Sequence, residues 1–201
     1  MNVYVESNFV LELALLQEQH ASCEALLRLC EEGGIQLVIP AYSLAEPYET
    51  LARRHRQRRL MKGELDDELR QLARTATYAD RLSGFQHLTT LLIDSADEEA
   101  KRLEAVRARL LHSAEILPLE LSILTTATQY QQTHGLGPQD ALVHAAVIWH
   151  LKQYPVPQSC FLNRNSKDFD DPDLVAELDV CSCKLLPQFD AGYQFVLSRL
   201  S

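Results

Sequence analysis

The stretch that most constrains this chain is Asn2 to Glu12, NVYVESNFVLE, in which a short β-branched and aromatic run ends abruptly on a carboxylate. Val3, Tyr4 and Val5 read as a buried strand, Glu6, Ser7 and Asn8 as its polar exit, and Phe9 opens an apolar helical pattern. That pattern carries Phe9, Leu13 and Leu16 through to Gln19. A second helix follows from Ser22 to Glu32 and stops at Gly33 and Gly34. Ile35 to Ile39, IQLVI, then reads as another buried strand, closed by Pro40. Strand, helices, strand is the opening of a βαβ unit, so the expected class is α/β with a parallel sheet. Ligands of such sheets sit outside the carboxyl ends of the strands, where Glu6 would stand. Taken alone, a surface carboxylate near a helix start is the simpler explanation of Glu6.

Composition sets limits on the rest. With 201 residues, 46% of them hydrophobic, the chain can bury a substantial core and is expected to form one domain over 1–201 with a helical insertion at about 53–116. No apolar run approaches the ~20 residues of a membrane span, and the N-terminus opens on a strand instead of a signal sequence; no membrane partner and a cytoplasmic location are expected. Five cysteines, without a repeated CxxC spacing, argue against a disulfide framework and a structural zinc site. Cys23 and Cys30 lie a heptad apart and read as core. A net charge of −9 excludes a protein that coats nucleic acid through bulk charge, but allows a local basic patch.

The next helix begins SLAE, where Ser43 is a natural N-cap and Glu46 has capping-box spacing, so Glu46 is either a cap partner or a second site acid. Pro47 is close enough to that start to be tolerated. The helix runs on into the dense basic stretch Arg53, Arg54, Arg56, Arg58, Arg59 and Lys62, which is either a phosphate grip or a solvated face balancing Glu64, Asp66, Asp67 and Glu68. From Glu64 to about His112 the chain is helical, with Leu65, Leu69 and Leu72 in one piece and Ala100, Leu103, Val106 and Leu110 in another. Gly63, Ser83-Gly84 and Asp94 to Asp97 are the expected breaks. A helix from Leu119 to His134 ends at Gly135 and Gly137. Pro138 starts an almost wholly apolar one with Asp140 in its first turn, where the helix dipole also welcomes a carboxylate. His144 is expected to be hydrogen-bonded or exposed, not a metal ligand. Ser159 to Leu162 gives a strand whose exit crowds Asn163, Asn165, Asp168, Asp170 and Asp171 before a helix Asp173 to Leu178, a last strand Cys183 to Leu186 and a terminal helix Gly192 to Leu200.

Glu6, Glu46 and Asp140, with Asn165 and Asp168, thus stand at element boundaries that one sheet edge could present together. Several oxygens without paired histidines or thiolates favour a hard octahedral ion, Mg²⁺ or Mn²⁺, which suits hydrolysis of a phosphodiester. A phosphatase with an aspartate nucleophile would want DxD after the first strand, and ESN does not supply it.

VYVESNFVLEL, SLAEPYETL, GLGPQDALVHAAVI and FLNRNSKDF occur in the order and rough spacing of the four motifs of PIN-domain ribonucleases. The last two are especially similar to VapC-like toxins of toxin–antitoxin pairs. The resemblance covers the first fifty and roughly the last seventy residues and leaves about Arg53 to Ile116 uncovered. It implies a PIN-like parallel β-sheet flanked by helices, with an enlarged helical middle region, and single-stranded RNA cleavage by metal-activated water. By the same resemblance Glu6 replaces the usual first aspartate, Glu46 and Asp140 are the second and third acids, Asn165 falls where many members have a fourth acid, and Asp168 matches the aspartate before phenylalanine. Glu6, Glu46, Asp140 and Asp168 are then the expected catalytic acids and, with Asn165, the ligands of Mg²⁺ or Mn²⁺. Asn8 and Asn163 would orient them from outside, Asn163 standing where a threonine or serine is frequent. A small antitoxin and a second copy of the chain are the implied partners. The alternative is a catalytically weak PIN-fold module that binds RNA or a protein, because Glu6 lengthens one ligand arm and Asn165 removes a charge.

Overall fold

Five parallel strands in the order β3-β2-β1-β4-β5 form the sheet: β1 Asn2–Val5, β2 Gln36–Pro40, β3 Glu115–Leu117, β4 Ser159–Leu162 and β5 Cys183–Leu186. The structure is a computed structural model and describes residues 1–79, 82, 85–164 and 171–200. β1 lies at the centre, pairing Tyr4 with Val38 on one side and with Phe161 on the other. Its neighbours β2 and β4 are buried along nearly their whole length, as a parallel sheet covered on both faces requires. Alternate side chains feed two cores. Val3, Val5, Leu37, Ile39, Cys160 and Leu162 face α1 (Ser7–Leu15), α2 (His20–Glu31) and α9 (Phe189–Leu200); Tyr4, Val38 and Phe161 face α6 (Leu121–His134), α7 (Pro138–Gln153) and α8 (Pro172–Val180). Gly192 on α9 allows that helix to close on β4, since a Cβ there would lie 2.5 Å from Leu162 Cδ2. Cys23 and Cys30 are core residues, as their spacing predicts.

The α/β class and the parallel sheet are as expected, with several corrections to the elements. α1 starts at Ser7, ahead of Phe9, because Glu6 caps it, and it ends at Leu16 in the left-handed region (φ 51°). β3 is not foreseen by the sequence pattern: three residues after a long helix leave no alternation to detect. The helix read from SLAE begins earlier, as α3 (Ala41–Leu72), so Ser43 is not its N-cap but a buried residue whose hydroxyl has no hydrogen-bond partner among the described residues. Pro47 is therefore inside the helix and withholds the N–H that would bond the Ser43 carbonyl. Gly63 does not break α3, and Asp94 to Asp97 does not break α5 (Phe85–Ser113), because charged residues and one glycine are tolerated on solvated helix faces. A one-turn α4 (Ala76–Ala79) stands between them, while Ser83-Gly84 lies outside the described residues. Leu65 and Leu72 are exposed, whereas Leu103, Val106 and Leu110 of α5 enter the core beside Phe9 and Leu26. Among the described residues no helix is long and apolar enough to cross a membrane.

Candidate active site

A cleft of about 270 Å³ opens at the carboxyl edge of the sheet and is lined by Glu6, Ser7, Asn8, Glu46, Asp140 and Asn163, with Thr50, Arg53, Arg54 and Gln139 among its other walls. Topology explains the convergence. β1 ends at Val5 and delivers Glu6, β2 ends at Pro40 and leads into α3 with Glu46, β4 ends at Leu162 and delivers Asn163, and α7 brings Asp140 in its first turn.

Glu6 has extended backbone and caps α1: its Oε2 accepts the Asn8 N–H at 2.8 Å. Glu6 thus stands at the end of β1 and at a helix start, as the sequence predicts, but as a buried carboxylate and not a surface one. The side chain is only 6% exposed, and Oε1 is buried with no hydrogen-bond partner among the described residues. Burial pushes its pKa up to about 7, against the Asn8 backbone and side chain and the Arg164 backbone, which favour the charged form; the Glu46 carboxylate adds a smaller upward push. Glu46 accepts a hydrogen bond from the Ser7 hydroxyl and is not a capping-box partner of Ser43. Sequence reasoning does not single out Ser7, although its place directly after Glu6 is the signal available. Asn163 is almost fully buried and donates its backbone N–H to the Leu186 carbonyl at 3.1 Å, which pins the exit of β4. Asn165, Asp168 and Asp170 lie outside the described residues.

The basic run divides by helix geometry, since neighbouring residues point to different faces. Arg53 and Arg54 reach the cleft. Arg58 instead makes two hydrogen bonds to Glu99 at 2.9 Å and one to Ser95 at 3.1 Å, joining α3 to α5. Lys62 pairs with Asp66 one turn on, and Arg56 and Arg59 are exposed away from the cleft lining. The run therefore does not line the cleft as one surface: Arg53 and Arg54 do, while Arg58 and Lys62 pair with carboxylates.

His144 is buried and faces Glu177 at 3.4 Å, hydrogen-bonded as expected; with Lys152 and Tyr130 it holds the Glu177 carboxyl down to about 2. Among the described residues, the one set of metal-ligand side chains whose ligand atoms all lie within 4.8 Å of one another is His134, Asp171 and Asp173. Asp171 is already committed there. It caps α8 by accepting the Asp173 N–H at 2.9 Å and faces His134 Nδ1 at 2.7 Å. Glu6, Glu46 and Asp140 therefore line one cleft without closing to that distance. Their chemistry still fits a hard cation: the donors are all oxygens, and Glu6 Oε1, buried without a hydrogen-bond partner among the described residues, is an acceptor that a cation would satisfy.

No curated protein and no solved structure matches the chain. A family model described as PIN domain matches residues 3–169, from β1 through the exit of β4, and so includes the long helical middle. The fold is thus of the nuclease type, in a family that usually uses divalent metals. The chain belongs to the PIN-domain family.

Proposed function

We propose that this protein is a Mg²⁺- or Mn²⁺-dependent endoribonuclease that cleaves single-stranded RNA with water as the nucleophile. The observation that carries the reading is the convergence of Glu6, Glu46, Asp140 and Asn163 on one cleft whose rim bears Arg53 and Arg54. Glu6, Glu46 and Asp140 would hold the ion. Asn165 and Asp168 join them through the motif alone, and Asn8 and Asn163 orient the set. A bound cation would supply Lewis-acid polarisation of the phosphoryl oxygen and lower the pKa of water. The chain's own contribution is placement. Asn8 fixes the Glu6 carboxylate through Oε2, the Ser7 hydroxyl fixes Glu46, and the two arginines receive backbone phosphates of the strand. Water adds to phosphorus as one bridging P–O bond breaks, and the departing oxygen takes up a proton.

The motifs support a narrower role, the toxin of a type II toxin–antitoxin pair, acting in the cytoplasm as a homodimer and restrained by a small antitoxin. The test is incubation of the purified protein with a mixed RNA pool in Mn²⁺, in EDTA, and as Asp140→Asn. Cleavage should occur only in the parent with the ion. A second reading, an RNA- or protein-binding module that cuts poorly, draws on the Ser7 hydroxyl already occupying Glu46. RNA retained by the parent in Mn²⁺ without cleavage would favour it.

A further inference from the structure

Directly behind the cleft lies an ion pair that no cleft chemistry uses. Glu12 of α1 is fully buried, and each of its carboxylate oxygens has a partner: one meets Arg164 Nη1, the other accepts the Gln19 N–H at 2.9 Å. Arg164 reaches on to Glu18 at 3.4 Å. Gln19 in turn accepts the Phe189 N–H at 2.6 Å, tying the start of α9 to the same knot. Arg164 directly follows Asn163, so its side chain is anchored on α1 while the residue before it lines the cleft. Its backbone also favours the charged form of Glu6, which caps the helix that carries Glu12.

Only the Glu12 end of the pair is buried, Arg164 being exposed. Desolvating a carboxylate to meet an arginine is a poor means to stability, because apolar residues of similar size do as well or better. What the pair supplies is direction, since the planar guanidinium divides its two ends between Glu12, through Nη1, and Glu18, through Nη2, which few geometries allow. We propose that the Glu12–Arg164 pair is a positioning device: it sets the exit of β4 against α1, so that Asn163 and Glu6 face the cleft in register. The proposal rests on the nuclease reading for its consequence, though not for its geometry. Arg164 is a positioning residue here and touches no reacting atom.

The experiment is the double replacement Glu12→Leu with Arg164→Met, compared with the parent and with Arg164→Lys. Three measurements are made: thermal melting, Mn²⁺ affinity by calorimetry, and hydrogen exchange of the Asn8 and Asn163 amides, which bond Glu6 and Leu186. The double variant should melt near the parent. Exchange at those two amides should still rise about tenfold, with amides of α6 unchanged, and Mn²⁺ affinity should fall by about tenfold or more, as when groups behind metal ligands are removed. RNA cleavage should lose kcat, by up to about a hundredfold, with KM little altered. A stable double variant with parental exchange and parental Mn²⁺ affinity overturns the proposal. If that variant does not fold, Arg164→Lys decides, because lysine keeps a charge on Glu12 but cannot span Glu12 and Glu18; parental exchange there is equally fatal. A parent that neither binds Mn²⁺ nor cuts RNA sinks the nuclease reading alone, and the exchange data still judge the pair.

Discussion

Glu6→Gln is the most informative single perturbation, because it separates the cost of burying a charge from every other property of the cleft. The glutamine oxygen can still accept the Asn8 N–H, so the cap on α1 survives. Raising the carboxyl from 4.5 to about 7, at about 1.4 kcal/mol per pH unit, corresponds to about 3 kcal/mol. The folded state holds the proton more tightly than the unfolded chain. Stability from this group is therefore complete below pH 4.5 and is lost as pH rises through 7. Urea denaturation in EDTA from pH 5 to pH 9 should show the parent losing up to about 3 kcal/mol relative to Glu6→Gln, with most of the divergence complete by about pH 8. The carboxylates held low, Glu177 and Asp171 among them, titrate below this window and leave it clean. Added Mn²⁺ should recover the parent at pH 8, by roughly 2.7 kcal/mol at a hundredfold excess over its dissociation constant, and the variant far less. Parallel curves for the two proteins across this range, or a glutamine variant less stable than the parent at pH 8, would refute the reasoning: the Glu6 carboxylate would then be charged and satisfied at neutral pH.

Asp140→Asn should abolish Mn²⁺-dependent RNA cleavage and the Mn²⁺-induced rise in melting temperature. It should leave the metal-free protein at least as stable as the parent, against the usual loss of ~1 kcal/mol for a point change. Arg53→Ala with Arg54→Ala should lower the log–log salt slope of single-stranded RNA binding by about 0.7 for each phosphate no longer neutralised, in filter-binding titrations. Arg58→Ala should leave that slope alone and instead destabilise the fold by about 3 kcal/mol in urea melts, because Glu99 is left buried without its two bonds from the guanidinium. Gly192→Ala should cost about 1–3 kcal/mol by the same assay, since the new methyl would meet Leu162 Cδ2 at 2.5 Å, Cδ1 at 2.7 Å and Cγ at 3.2 Å.

The sequence by itself determined the parallel α/β class, because β1, β2 and β4 are covered on both faces and so read as uninterrupted apolar runs between helical patterns. It also placed Glu6 and Asp140 at element boundaries, where local residue chemistry marks chain exits and helix starts, but put the start of the helix that carries Glu46 too late. Only the tertiary structure decided what those boundaries do. Ser43 and Glu46 have capping-box spacing, yet α3 starts at Ala41 and hands Glu46 to Ser7, thirty-nine positions back. Six basic residues form one run in the chain, but the turn of α3 sends two into the cleft and gives Arg58 to a carboxylate of α5. Glu12 and Arg164 carry no motif at all. They are 152 positions apart, and local patterns do not report such a distance. Their pairing exists because the central strand β1 leads into α1 beside the exit of its neighbour β4, where a buried charge on one must be answered by the other.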